Sequence, residues 1–284
     1  MSDPRILRYT AFSTSTEGGN PAGVVLDAAA LSDREMQAIA TEVDYAETAF
    51  VTGAIPGGAL AIRYFSPIAE VPFCGHATVA TAVALADHGL AEPGSTVVFA
   101  TPVGPVEIRV TRDTDGARAA FTSVAPSVTA LEPTDLAAIL ELLGLSPVDL
   151  DATLPPRIAD AGNPHPVLTV ADGEDFDAFR FEPDAVRALM DARGWPATIT
   201  VLHRVGPRTF AARNLFPVGR ITEDPATGSA AAAVGAYLRE LGAVDAPERV
   251  EIRQGAHVGR PGILTVDIPT TGGITVSGHA VELT

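Results

Sequence analysis

Lysine is missing from this chain. All 19 basic residues are arginine, and without a lysine amine no imine can form with pyridoxal phosphate or with a carbonyl substrate. Pyridoxal enzymes and Schiff-base aldolases are excluded on that ground. Cysteine is nearly missing: Cys74 stands alone, which removes a disulfide framework, a cysteine-built metal cluster and a racemase working with two opposed thiols. The six histidines, His76, His88, His165, His203, His257 and His279, form no i,i+4 pair and no H-E-x-x-H pattern, so a histidine-built metal site has little support. Walker, G-x-G-x-x-G and G-x-S-x-G patterns are silent too. No apolar run approaches the roughly 20 residues that span a bilayer. The start Met1-Ser2-Asp3-Pro4 lacks the basic-then-apolar layout of a signal peptide. The chain therefore reads as cytoplasmic, with no membrane partner.

Charge of one sign is also scarce. A formal net charge of −16 repels a phosphate backbone, and no basic cluster offsets it, so nucleic acid is not an expected partner. What is present suits a globular fold: 284 residues with 46% hydrophobic content supply core for two ordinary domains or one large one.

The chain opens as a hairpin, with a strand at Ile6–Phe12, a Gly/Asn/Pro turn at Gly18–Pro21 and a second apolar run at Ala22–Leu26. From Ser32 the spacing turns helical: Ser32 with Glu35 makes a capping pattern, and Met36, Ile39, Ala40 and Val43 share one face. Strands are expected at Glu47–Val51 and Leu60–Phe65, an Ala-rich helix from about Ala77 to Ala86, then strands near Thr96–Ala100, Val106–Val110 and Ala119–Thr122. The Pro/Ser/Thr-rich stretch from Ala125 to Pro133 reads as a crossover. Beyond it the pattern predicts a helix at Pro133–Leu143, a strand at Val167–Val170, a helix at Pro183–Arg193, a strand at Ile199–Val205 and a helix at Gly228–Leu241.

There is an internal echo. Arg63-Tyr-Phe-Ser-Pro67 and Arg213-Asn-Leu-Phe-Pro217 are offset by 150, and Cys74-Gly-His-Ala-Thr-Val-Ala80 against Ala226-Thr-Gly-Ser-Ala-Ala-Ala232 gives an offset of 152. The shared order of strand, R-x-x-x-P, loop and Ala-rich helix favours duplication over chance similarity. Two such α+β halves facing each other would form a cleft between two helix starts.

Helix starts carry free amides and a positive dipole end, so both Cys74-Gly75-His76-Ala77-Thr78 and Asp224-Pro225-Ala226-Thr227-Gly228-Ser229 suit a carboxylate. Asp224, Thr227 and Ser229 read equally well as ordinary caps. Glu47 is a carboxylate in an otherwise apolar strand start, Tyr45-Ala-Glu-Thr-Ala-Phe-Val51. Buried, it would have a raised pKa and could exchange protons near neutrality; exposed on an edge, it would do nothing, and the exposed form is the commoner. His76 at a helix start is biased toward its neutral form, able to relay a proton or only to pack. A thiol before a helix is favoured as thiolate, yet Cys74 has no thiol at the aligned Ala226 and reads as a packed or pocket-lining residue.

Taken together, Asn20-Pro-Ala-Gly-Val-Val25, Ala46-Glu-Thr-Ala-Phe-Val51, Cys74-Gly-His-Ala-Thr78, Glu223-Asp-Pro-Ala-Thr-Gly-Ser-Ala230 and Gln254-Gly255 with Gly259-Arg-Pro261 resemble the PhzF-like family, nearly end to end. The resemblance implies an α+β, diaminopimelate epimerase-like fold: two pseudo-symmetric halves, each a sheet wrapped around a central helix. The expected division is residues 1–124, completed by a C-terminal strand at about 273–284, and residues 125–272. It further implies a cofactor-independent isomerase that shifts a proton within a small carboxylated substrate such as trans-2,3-dihydro-3-hydroxyanthranilic acid, without a metal, and a homodimer. Glu47, His76, Asp224 and Ser229 match the family's catalytic side chains, and Asn20, Gly75, Ala77, Thr227 and Gly228 its substrate-binding positions. Two alternatives remain at this level: an epimerase or racemase with one thiol, Cys74, and a non-catalytic carboxylate-binding protein on the same scaffold.

Overall fold

A computed structural model of the chain describes residues 4–218 and 221–283. The start Met1-Ser2-Asp3, on which the signal-peptide reading rested, lies outside the described residues. The chain divides into two compact units: one runs to Thr122 and takes the chain back from Ser277, and the other is Ser123–Val276.

The first unit is built from β1 (Leu7–Ala11), β2 (Asn20–Val25), α1 (Asp33–Val43), β3 (Glu47–Ala54), β4 (Leu60–Phe65), β5 (Glu70–Val71), α2 (Gly75–Asp87), β6 (Thr96–Thr101), β7 (Gly104–Asp113) and β8 (Gly116–Thr122). The last strand of the chain, which starts at Thr275 and ends at Glu282, pairs with both β1 and β8 and closes the sheet. Around it, β1–β2 is antiparallel, β2–β3 parallel, β3–β4 antiparallel, β4–β6 parallel, and β6–β7 and β7–β8 antiparallel. The helix α2 packs on β1, β2, β3, β7 and β8, inside the sheet. Its sequence, GHATVATAVALAD, explains why it can sit there: small side chains let strands approach from every direction, and all residues from His76 to Ala86 are buried. Thr78 and Thr81 satisfy their hydroxyls on the carbonyls of Cys74 and Ala77 one turn back, at 2.6 and 2.7 Å. On the outer face α1 covers the sheet with Met36 and Ala40 against Val25, Phe50 and Phe65. Its Ser32–Glu35 capping box is present.

The second unit comprises β9 (Ser127–Ala130), α3 (Pro133–Leu143), β10 (Arg157–Asp160), β11 (Pro164–Val170), α4 (Gly173–Ala178), α5 (Pro183–Arg193), β12 (Ile199–Gly206), β13 (Thr209–Val218), β14 (Ile221–Asp224), α6 (Gly228–Glu240), β15 (Glu248–Gln254) and β16 (Gly262–Ile268); the chain's last strand, Thr275–Glu282, is β17. Its pairing repeats that of the first unit: β9–β10 and β10–β11 antiparallel, β11–β12 parallel, β12–β13 antiparallel, β13–β15 parallel and β15–β16 antiparallel. The Ala-rich α6 packs on β9, β10, β11 and β16, while Ile139, Leu143, Val186, Met190 and Trp195 from the α3 and α5 regions form an outer core with Leu168, Val170, Ile199 and Val201.

Two expectations need correction. The stretch from Ala125 to Pro133 contains a strand, β9, whose four residues pair with all of β10. And the echo of the two Ala-rich helices is offset by 153, not 152: α2 and α6 are both 13 residues long and start at Gly75 and Gly228. Cys74 therefore corresponds to Thr227, the residue before the second helix, rather than to Ala226. The earlier offset of 150 holds, since Tyr64 pairs with Ala49 and Val71 as Asn214 pairs with Thr200 and Asp224.

Candidate active site

In the first unit three chain segments bring their ends together. A left-handed residue, Asp44 at φ 54°, ends α1 and turns the chain into β3, whose first residue is Glu47. Glu47 lies in register with Ala22 of β2. Asn20 begins β2 and is buried; the turn before it needs glycine, because Gly19 sits at φ +66° and a Cβ there would fall 2.2 Å from the Ala11 carbonyl oxygen. The third segment is Cys74, extended at φ −142° just before α2. Its carbonyl accepts from Thr78, whose single proton is thereby used, so the Tyr64 hydroxyl donates to Thr78 Oγ1 at 2.6 Å. Burial pushes the Tyr64 pKa up and keeps that donor protonated.

The Cys74 thiol donates to Glu47 Oε2 at 3.3 Å, and His76 Nδ1 is 3.3 Å from the same sulfur. His76 Nε2 lies 3.5 Å from Glu47 Oε2. That contact joins a carboxyl group to a neutral imidazole: burial pushes the His76 pKa down to about 4, against an opposing hydrogen bond to the Pro21 carbonyl, and the helix start also disfavours the cation. Glu47 keeps 19% of its side chain exposed while His76 keeps 7%, so the glutamate is the more accessible of the two. Cys74, read from the sequence as a packed or pocket-lining residue, places its buried sulfur against both candidates for proton transfer.

No Cys74 side-chain bond caps α2. Gly75 adds access: a Cβ there would meet only Phe73 Cε1, at 3.9 Å. Ala77, in the first turn of α2, is wholly buried.

The second unit carries the other candidates on the equivalent loop. Asp224 ends β14, and the Thr227 hydroxyl donates to its carboxylate. Thr227 is the N-cap residue of α6, but its side chain makes no capping bond; its hydroxyl is used on Asp224 instead. Gln254, buried at the end of β15, braces the loop: its Nε2 donates to the Asp224 carbonyl at 2.6 Å and to Thr227 Oγ1 at 2.9 Å, and its Oε1 accepts the Thr227 N–H at 3.2 Å. Gly255 follows at φ +86°, where a Cβ would lie 2.5 Å from the Pro225 carbonyl oxygen and 2.3 Å from that of Arg260. The Gln254-Gly255 motif is thereby explained as the support under the start of α6. Gly228 begins α6, and Ser229 follows it, half-buried.

Two features escaped sequence reasoning. Gly162-Asn163-Pro164 leads into β11 as Gly19-Asn20-Pro21 leads into β2, with both glycines at positive φ; the repeated tripeptide was visible in the sequence and was the signal. Glu47 and Cys74 are 27 residues apart, so no spacing rule could join them. Among the described residues, Glu47, Cys74 and His76 form one group able to hold a metal ion, and Asp113, Asp115 and His279 a second, exposed one. No described helix is long and apolar enough to cross a membrane.

Two units of matching core strand pairing, each around a buried Ala-rich helix with a polar loop at its start, make up the diaminopimelate epimerase-like fold, and the relatives of this chain make it an isomerase. The chain belongs to the phenazine biosynthesis-like PhzC-PhzF family, which matches residues 9–284. An isomerase of Mesorhizobium japonicum, described as uncharacterized, is 35% identical over 301 positions, covering 100% of this chain and 98% of the relative. The trans-2,3-dihydro-3-hydroxyanthranilate isomerase of Pseudomonas fluorescens is 31% identical over 255 positions, covering 89% of this chain and 86% of that one. A Bacillus anthracis phenazine biosynthesis protein of the PhzF family superposes with a TM-score of 0.87 at 26% identity, over 100% of this chain and 98% of the other. These relatives count against the non-catalytic alternative.

Proposed function

We propose that this isomerase moves a proton within a small carboxylate-bearing substrate of the trans-2,3-dihydro-3-hydroxyanthranilate type, with Glu47 as the group that takes the proton and returns it. The observation that carries the reading is the contact set of Glu47: a thiol donor at 3.3 Å, a neutral imidazole at 3.5 Å, and partial exposure. A carboxylate so placed can accept a proton from a carbon acidified by the substrate's unsaturation. The Cys74 S–H would steady the anion, and His76, being neutral, could receive the proton or return it at another carbon. Asp224 and Ser229 are assigned to the same reaction on the family resemblance. The amides at Gly75 and Ala77 and at Thr227 and Gly228, with Asn20, are assigned to holding the substrate's carboxylate and the charge that builds on it. A homodimer is part of this reading, on the resemblance, and a cytoplasmic location, on the sequence pattern.

Incubation with candidate dihydroaromatic and amino acids in D₂O, read by mass spectrometry or NMR, tests it. Deuterium should enter a carbon of a carboxylated, unsaturated substrate, and Glu47→Gln should stop it. Full turnover by Glu47→Gln would overturn the assignment.

The Sγ to Oε2 contact also supports a second reading, an epimerase with Cys74 as its base. Thr227, not a second cysteine, stands at the matching position of the other unit, so such an enzyme would have to use a carboxylate for the opposite face. Cys74→Ser separates the two: it should spare the glutamate-based isomerase and disable the epimerase.

A further inference from the structure

Sulfur, nitrogen and oxygen donors converge at Glu47, Cys74 and His76, with two of their three separations matching those around a tetrahedral cation and the third a few tenths of an ångström wider. Zinc in tetrahedral geometry takes sulfur at about 2.3 Å and nitrogen or oxygen at about 2.0 to 2.2 Å, which sets its ligand atoms roughly 3.3 to 3.6 Å from one another. The separations here are 3.3 Å for Cys74 Sγ to Glu47 Oε2, 3.5 Å for His76 Nε2 to Glu47 Oε2 and 3.9 Å for Cys74 Sγ to His76 Nε2. The geometry points to an inhibitory site for a soft divalent cation, Zn²⁺ foremost, held by Cys74 Sγ, His76 Nε2 and Glu47 Oε2, with the fourth position left to water.

Each ligand is held by its own element: Glu47 by the start of β3, Cys74 by the Thr78 bond to its carbonyl, and His76 by the first turn of α2. Little rearrangement is therefore needed. The His76 ring also meets the Pro21 carbonyl. On binding, the Cys74 S–H bond breaks, its proton leaves to solvent, and a thiolate–metal bond replaces it. The cation then occupies the carboxylate oxygen that would otherwise take the substrate proton. The mixed S, N, O set selects zinc or cobalt over magnesium or calcium, which take oxygen ligands. The inhibitory consequence rests on Glu47 being the proton carrier; the coordination itself does not.

The test uses Co²⁺ on the full, chelator-stripped chain, without substrate. One equivalent should give a thiolate-to-cobalt charge-transfer band that Zn²⁺ displaces and that Cys74→Ala lacks. The exposed Asp113, Asp115 and His279 group contains no sulfur and so cannot produce that band. His76→Gln and Glu47→Gln should each weaken Co²⁺ binding by at least the roughly 10 to 100-fold that loss of even an outer partner costs, which keeps the proposal open to refutation should Cys74→Ala fail to fold. No band, or a band unchanged in Cys74→Ala, overturns the site. Stoichiometric Zn²⁺ should then stop deuterium exchange, and unchanged exchange in the zinc-loaded protein overturns the inhibition. A cobalt band in a chain whose Glu47→Gln variant keeps full turnover would support the site and refute the proton-carrier reading instead.

Discussion

The thiol of Cys74 hydrogen-bonds the carboxylate of Glu47 at 3.3 Å, joining the start of a central helix to the start of a strand 27 residues earlier in the chain. In this bond the thiol is the donor and the carboxylate the acceptor. Glu47→Gln is expected to lower proton exchange by about 10² to 10⁴-fold, the usual worth of a positioned acid/base group, and Cys74→Ser by less than about tenfold, since a hydroxyl also donates a hydrogen bond. Deuterium incorporation with each variant, alongside its melting curve, checks this. Equal losses in both would transfer the proton step to sulfur.

Arg63–Glu70 and Arg213–Glu223 are the same ion pair in the two units, one wet and one dry. Arg63 is 27% exposed and also reaches Asp33. Arg213 and Glu223 are only 4% and 9% exposed, and Arg213 further donates to the Phe176 and Phe179 carbonyls at 3.1 and 3.0 Å. Arg213→Met should cost about 3 to 5 kcal/mol because it strands a buried carboxylate. Arg63→Met should cost no more than about 1 kcal/mol. Urea unfolding of the two variants measures the difference, and pairing Arg213→Met with Glu223→Leu should recover much of the loss.

The sequence exposes long elements and hides short ones. Strand β4 and helices α3 and α5 carry clear caps or periodicity and fall where the pattern puts them. Strands β9 and β10 have four residues each and α4 has six, too few to express a period. Helix α2 is buried on all sides, so it has no polar face to mark its first turn, and Gly75 and His76 are weak helix formers; the expected start at Ala77 is two residues late. In alanine runs a one-residue shift of the repeat looks as good as the true one. The anchors that settle it are the paired Glu70-Val-Pro72 and Glu223-Asp-Pro225. Glu47 and His76 could be singled out as residue types, but their meeting at Cys74 depends on strand register and could not.

Gly235, inside α6, shows packing overruling propensity. Alanine there would favour the helix by about 1 kcal/mol. Its Cβ, however, would lie 2.7 Å from Ile274 Cγ2 and 2.9 Å from Val266 Cγ1, and forcing a methyl into such a core costs about 1 to 3 kcal/mol. Gly235→Ala is expected to lower the melting temperature. A rise would mean that the sheet around α6 yields more easily than its packing suggests.

Acid should weaken this fold before its carboxylates titrate. Burial holds both His76 and His165 near pKa 4, below the ordinary value of 6.5. Between those limits the unfolded chain binds protons that the folded one refuses, so stability is full above about pH 6.5 and falls as pH drops toward 4. Each histidine contributes on the order of 3 kcal/mol across that window. The ion-paired and capped carboxylates, Asp33, Glu35, Asp113, Asp149 and Asp191, have lowered pKa values, so their contributions fade only from their ordinary values of 3.8 for Asp and 4.5 for Glu35 downward, at the acid end of that window and below it. His165 is the one to remove, since it takes no part in the proposed chemistry: Nδ1 bonds Thr198 Oγ1 at 2.9 Å, and Nε2 is buried without a partner. His165→Gln should flatten the slope of unfolding free energy against pH between 6.5 and 4 by about half while leaving the limb below pH 4 in place. An unaltered slope would mean that the imidazole is reached by water and already protonated in the folded state.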